Sequence, residues 1–95
     1  YEDLNYSNAD EMLIKARLVT EIADQVKRRN LTQTEASELL GFSQSKLSNL
    51  LRGRFRGVSE KKLMECLTML GRDIEIVVKP APRSRRAGRI TVEVS

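Results

Sequence analysis

The chain has 95 residues, a formal net charge of +4, 40% hydrophobic and 32% charged residues, which suffices for one small domain with a modest core; domains of this size gain from association with a partner or a second copy. Tyr1, Tyr6, Phe42 and Phe55 are its only aromatic residues, too few for recognition of single-stranded nucleic acid by base stacking. A single cysteine, Cys66, excludes an intramolecular disulfide and a cysteine metal cluster.

Taken from the start, residues 1–9 are polar and acidic without a period, and read as an extended lead-in. From about Asp10 to Arg29 the pattern is helical, with Glu11 near the start and Lys27, Arg28 and Arg29 at the end, where the helix dipole favours each sign. Met12, Ala16, Val19, Ile22, Ala23 and Val26 form the expected inner stripe. Leu13, Ile14 and Leu18 fall outside it and give the first half of the helix a second apolar side, either a wide core face or a contact with a second copy. Asn30 breaks this helix.

Residues 31–57 carry the strongest local signals. Thr32 and Glu35 are spaced as a capping box, and Leu31 and Ala36 sit where a hydrophobic staple would be. The helix they open has Ala36, Leu39 and Leu40 on its expected inner side and stops at Gly41, suited to a left-handed C-terminal position. Ser43 caps a second helix, spanning about 43–52, which buries Leu47, Leu50 and Leu51 and stops at Gly53. Gln44, Ser45, Lys46, Ser48, Asn49 and Arg52 are left to face outward, followed by Arg54 and Arg56. Two short capped helices with one small, polar, basic face predict a helix-turn-helix.

After Gly53, Arg54–Val58 is a loop with Phe55 and Val58 turned inward and both arginines outward. Ser59 caps another helix whose Leu63, Met64, Cys66, Leu67 and Leu70 close the core, with Gly71 ending it. Cys66 reads as a small buried core residue. The period then changes from 3.6 to 2. Residues 73–79 alternate Ile74, Ile76 and Val78 against Glu75, Val77 and Lys79 as a strand does. Residues 80–95 hold a basic Pro/Arg linker, whose arginines form a potential polyanion-binding arm, and a second alternating stretch, Ile90–Val94. One or two strands are poorly stable alone, so they must pair within the chain, across a dimer or with another protein. The expected fold is mainly α: a small bundle of four to five helices over 10–72, with one or two short C-terminal strands.

Charge supports a nucleic-acid surface. Residues 1–24 carry six acids and two bases, whereas residues 25–58 carry seven bases and two acids; the positive block coincides with the helix-turn-helix, as phosphate binding requires. The N-terminal end of a recognition helix enters the major groove first. Gln44 and Asn49 each offer a donor and an acceptor, matching the adenine N6/N7 edge, and Lys46 suits either guanine O6/N7 or a phosphate. Ser45 and Ser48 are short enough for close approach. Helix starts at Gln33 and at Ser43–Gln44 present N–H groups to phosphate, and Arg52, Arg54 and Arg56 would flank the groove. An enzyme is not expected: there is no histidine, no nucleophile–base pair, no glycine-rich phosphate loop and no metal-like cluster. No cofactor or metal is implied. No apolar run approaches the ~20 residues of a membrane span and no signal peptide is visible, so a cytoplasmic location without membrane contact is expected.

Residues 31–57 resemble the Xre-type helix-turn-helix of phage repressors and many bacterial regulators. The wider stretch from YSNADEMLIKARLVTEIA to LGRDIEIVVKP is similar to the HigA-like antitoxins. The resemblance implies a lambda-repressor-like dimer that binds its own operator and, in the antitoxin subset, neutralises an mRNA-cleaving toxin of the RelE/HigB kind. Gln44, Ser45 and Asn49 match base-reading positions of that family. Gln33 matches a phosphate contact, and Arg52 and Arg54 match positions near the backbone. The base-reading set is therefore Gln44, Ser45, Lys46 and Asn49, and the phosphate set Gln33, Ser43, Ser48, Arg52, Arg54 and Arg56. The expected partners are double-stranded DNA, a second copy through Leu13, Ile14, Leu18, Ile74, Ile76 and Val78, and, on the antitoxin reading, the toxin.

Overall fold

A computed structural model describes residues 8–84 and 88–94. The acidic lead-in through residue 7 and residues 85–87 of the basic linker lie outside the described residues. Four helices follow in order: α1 Asn8–Arg28, α2 Gln33–Leu40, α3 Gln44–Leu51 and α4 Glu60–Met69. α1 packs against α4 and α3, and α2 pairs with α3 and also touches α4.

α1 starts two residues before the expected Asp10 and ends in a left-handed turn at Asn30 (φ 55°). The Asn30 N–H donates to the Lys27 carbonyl at 3.1 Å and the Leu31 N–H to the Val26 carbonyl at 3.1 Å, a Schellman closure in which asparagine tolerates the positive φ. The buried stripe is rotated from the expected one. It consists of Ile14, Lys15, Leu18, Val19, Ile22, Gln25 and Val26, while Met12 and Ala16 lie at its edge. Ile14 and Leu18 are therefore core residues of the chain itself, which corrects their assignment to a contact with a second copy. Leu13 alone of that trio faces out, at 61% exposure. The reason is tertiary: apolar residues ring this helix on more than one side, and the faces of α3 and α4 select which of them go inside.

α2 carries the capping box as expected. The Thr32 hydroxyl accepts from the Glu35 N–H at 3.1 Å and the Glu35 carboxylate accepts from the Thr32 N–H at 2.9 Å. Its buried residues are Ala36, Ser37 and Leu40. Leu39 is 42% exposed, contrary to its expected inward place. Ser37 takes the inner position because its hydroxyl donates to the Thr34 carbonyl at 2.8 Å, leaving no unpaired polar group. Gly41 (φ 76°) ends the helix, a left-handed conformation that a Cβ would strain.

α3 is capped by Ser43, whose hydroxyl accepts from the Lys46 N–H at 3.1 Å, and it buries Leu47 and Leu50 completely, with Leu51 at the core's edge. α4 is capped by Ser59 in the same way. Leu63, Cys66, Leu67 and Leu70 complete the core with Phe55 and Val58. Burial raises the Cys66 thiol above its ordinary value, against a smaller lowering pull from the Lys62 charge, so the thiol stays protonated and unreactive.

Neither alternating stretch forms a strand among the described residues. Residues 73–79 and 88–94 run as irregular chain, and no backbone–backbone hydrogen bond beyond Arg72 joins them to anything described. Alternation confers the pattern of a strand, but a ladder needs a neighbour, and among the described residues of one chain there is none. Ile74 and Val92 rest against the core, and the Arg17 guanidinium donates to the Val92 carbonyl at 3.4 Å. Ile76 and Val78 remain open at 76% and 93% exposure.

Candidate nucleic-acid interface

The site is built on α2, α3 and the loop that follows. Two fully buried leucines, Leu47 and Leu50, seat α3 against the core, and this fixes which side chains face solvent. At about 100° per residue, the direction opposite these leucines runs through Ser45 and Arg52, with Ser48 and Asn49 to either side. Gln44 and Lys46 fall on opposite flanks. Gln44, Ser45, Lys46 and Arg52 are exposed, whereas Ser48 and Asn49 are half-buried. Gln33 is exposed at the start of α2, and Ser43 is exposed at the start of α3. All these sites share the α2–α3 unit.

The loop beyond α3 is held from both ends. The Gly53 N–H donates to the Leu50 carbonyl at 3.0 Å and the Arg54 N–H to the Asn49 carbonyl at 2.9 Å. Phe55 and Val58 are buried, so Arg54 and Arg56 between them project outward. A tether that sequence reasoning missed comes from α1. The Lys15 ammonium, with its side chain 4% exposed, donates to the Arg56 carbonyl at 2.9 Å and pairs with Glu11 at 3.0 Å. A buried lysine survives only when its charge is paired and its donors are used, and here both conditions are met. The one available signal was its place between Ile22 and Val26 on the helical wheel.

Electrostatically the face is open. Among the described residues, none of Lys46, Arg52, Arg54 and Arg56 is ion-paired. Glu35, the acid nearest in sequence to the start of α2, is occupied by the capping box. A cluster of unpaired cations around a short polar helix face is suited to a polyanion.

A family model described as a helix-turn-helix domain matches residues 1–79. A solved structure of a protein assigned to the XRE family of transcriptional regulators is similar to this one with a TM-score of 0.85 and 37% identity, over 94% of this chain and 100% of that chain. The chain belongs to the XRE helix-turn-helix family. That family is one of DNA-binding transcription regulators. No curated protein matches the chain. In this XRE protein, α2 and α3 are the two short helices joined by the turn at Gly41. The residues proposed for self-association do not form one surface: Ile14 and Leu18 are internal, Ile74 rests on the core, and Leu13, Ile76 and Val78 are exposed. Among the described residues, no helix is long and apolar enough to cross a membrane.

Proposed function

We propose that this XRE protein is a dimeric autorepressor that reads a pseudo-palindromic operator through α3 in the major groove. The observation that supports it most is the α3 face itself, with Gln44, Ser45 and Asn49 presented by two buried leucines beside three unpaired arginines. In this reading Gln44, Ser45 and Asn49 reach base edges, and Lys46 reaches a guanine edge or a phosphate. Gln33, Ser43, Ser48, Arg52, Arg54 and Arg56 hold the sugar–phosphate backbone on either side. One recognition helix offers few base contacts, so two copies bind half-sites about one turn apart, roughly 34–36 Å. Repression of its own gene places the protein with the cytoplasmic DNA. Protection from cleavage of the DNA upstream of its own gene, measured at two salt concentrations, tests the reading. A symmetric pair of protected half-sites that weakens with salt is expected, and uniform non-specific coverage would defeat it.

Gln44→Ala should cost about 1–3 kcal/mol at the cognate site and relax preference at one base pair. Equal weakening on all sequences, in a competition titration, would make Gln44 a backbone contact. Arg54→Ala should instead weaken binding to every sequence alike and reduce the slope of log K against log salt by about 0.9, as loss of one phosphate contact does. An unchanged slope would remove Arg54 from the interface.

The exposed Ile76–Val78 segment favours a second reading, in which the chain is a HigA-like antitoxin and this segment adds to the sheet of a RelE/HigB-like toxin, by strand addition. A small basic reading frame beside the gene, whose product is neutralised on co-expression and released by a charge at Ile76, would favour that reading.

A further inference from the structure

We infer that Lys62 of α4 and Lys46 of α3 together clamp a single backbone phosphate over the face of Phe42, an assignment that rests on the DNA-binding reading. The Lys62 ammonium stands 5.1 Å from the centre of the Phe42 ring and the Lys46 ammonium 5.8 Å from the same centre. Two like charges thus converge on one half-buried ring, although each has a flexible stem with which to avoid the other. Neither is ion-paired among the described residues. A ring face attracts each cation weakly and leaves the charge itself uncompensated. Such a pair has the character of a half-built ion site whose missing member is an anion.

The surroundings fit a phosphodiester rather than a carboxylate of the chain. The two lysines line a shallow cleft with Gly41, Ser43 and Ser59, whose small side chains let an outside group approach the backbone. Ser43 and Ser59 use their hydroxyl oxygens as acceptors, from the Lys46 and Lys62 N–H groups respectively, which leaves each hydroxyl hydrogen available to donate. The cleft adjoins the start of the recognition helix on one side and Val58, at the end of the arginine loop, on the other. A duplex seated on α3 would pass its backbone along this line. Lys46 also lies on the α4-facing flank of α3, about 100° round from Ser45, which directs it to the backbone and away from a guanine edge.

Binding of a short mixed-sequence DNA duplex by the full chain, measured over a series of salt concentrations, tests the clamp. Lys62→Gln should reduce the slope of log K against log salt by about 0.9. Lys61→Gln, an equal loss of charge at the exposed neighbouring position, should reduce it distinctly less. Because both lysines serve one phosphate, the variant carrying Lys46→Gln and Lys62→Gln should lose less slope than the two single variants added together. Equal slopes for Lys62→Gln and Lys61→Gln, or full additivity of the pair, would overturn the clamp and leave the DNA reading standing. Wild-type protein that shows no salt-dependent binding to the duplex would overturn both. Unchanged thermal unfolding of each variant keeps the comparison one of binding.

Discussion

Ile76→Asp is expected to convert the proposed dimer to a monomer and to lower affinity for a two-half-site operator by about 10²–10⁴-fold, the usual gain from linking two binding events. The segment around Ile76 is chemically complementary to itself. In an antiparallel pair centred on Ile76, Asp73 of one copy lies across from Lys79 of the other, Ile74 lies across from Val78, and Ile76 meets its own counterpart. Parallel pairing would instead bring Asp73 beside Asp73 and Lys79 beside Lys79, and like charges placed opposite are unfavourable. A register centred on Val77 would set Ile74 against Pro80, which has no N–H for a ladder. Ile76 and Val78 are exposed in the single chain, so a charge at 76 costs the monomer little. Sedimentation should show the change in mass, and a duplex with one half-site should bind variant and wild type alike. Single reversals, Asp73→Lys or Lys79→Asp, should weaken the dimer, and the double reversal should restore it. An Ile76→Asp protein that stays dimeric would transfer the seam elsewhere, with Leu13 an exposed alternative.

Leu50→Ala should lower stability by about 2–5 kcal/mol, the cost of lost apolar contact plus the cavity left behind. For a small domain whose whole stability is about 5–15 kcal/mol, that is a large fraction. Leu50 is fully buried, and its carbonyl accepts the Gly53 N–H that begins the arginine loop. The residue therefore supports both halves of the interface, α3 through its side chain and the loop through its carbonyl. Leu39→Ala, four to five residues before the α3 start and 42% exposed, should change stability by no more than about 0.5 kcal/mol. Urea unfolding of the two variants gives the contrast directly. Equal losses would mean that Leu39 is buried in solution, as its apolar character alone would suggest, and that α2 is turned differently.

Those two leucines mark where sequence reasoning succeeds and where it stops. Helix ends were legible because caps are local: the Thr32–Glu35 box, Ser43, Ser59 and the turn at Gly41 are each decided by residues within one turn of the backbone. The inward pair Leu47 and Leu50 was also legible, since a polar and basic opposite face leaves that helix one way to pack. Leu39 and Ser37 could not be ordered in advance, because their exchange depends on a hydroxyl finding the Thr34 carbonyl. The residues assigned to DNA are brought together on one unit, but Lys62 was passed over, because α4 lies beyond the motif in sequence and reaches Phe42 only in space.

The sequence by itself determined the caps of α2, α3 and α4, the polar α3 face and the family to which the chain belongs, since each depends on residue types at short, fixed spacing. Tertiary structure alone decided the rotation of α1, which takes Ile14 and Leu18 into the core, and the burial of Lys15 beneath the arginine loop. It also decided that the alternating tail stays unpaired in the single chain. An amphipathic pattern states what each residue prefers, whereas burial goes to whichever face meets a neighbour, and a strand exists only where another strand completes its hydrogen bonds.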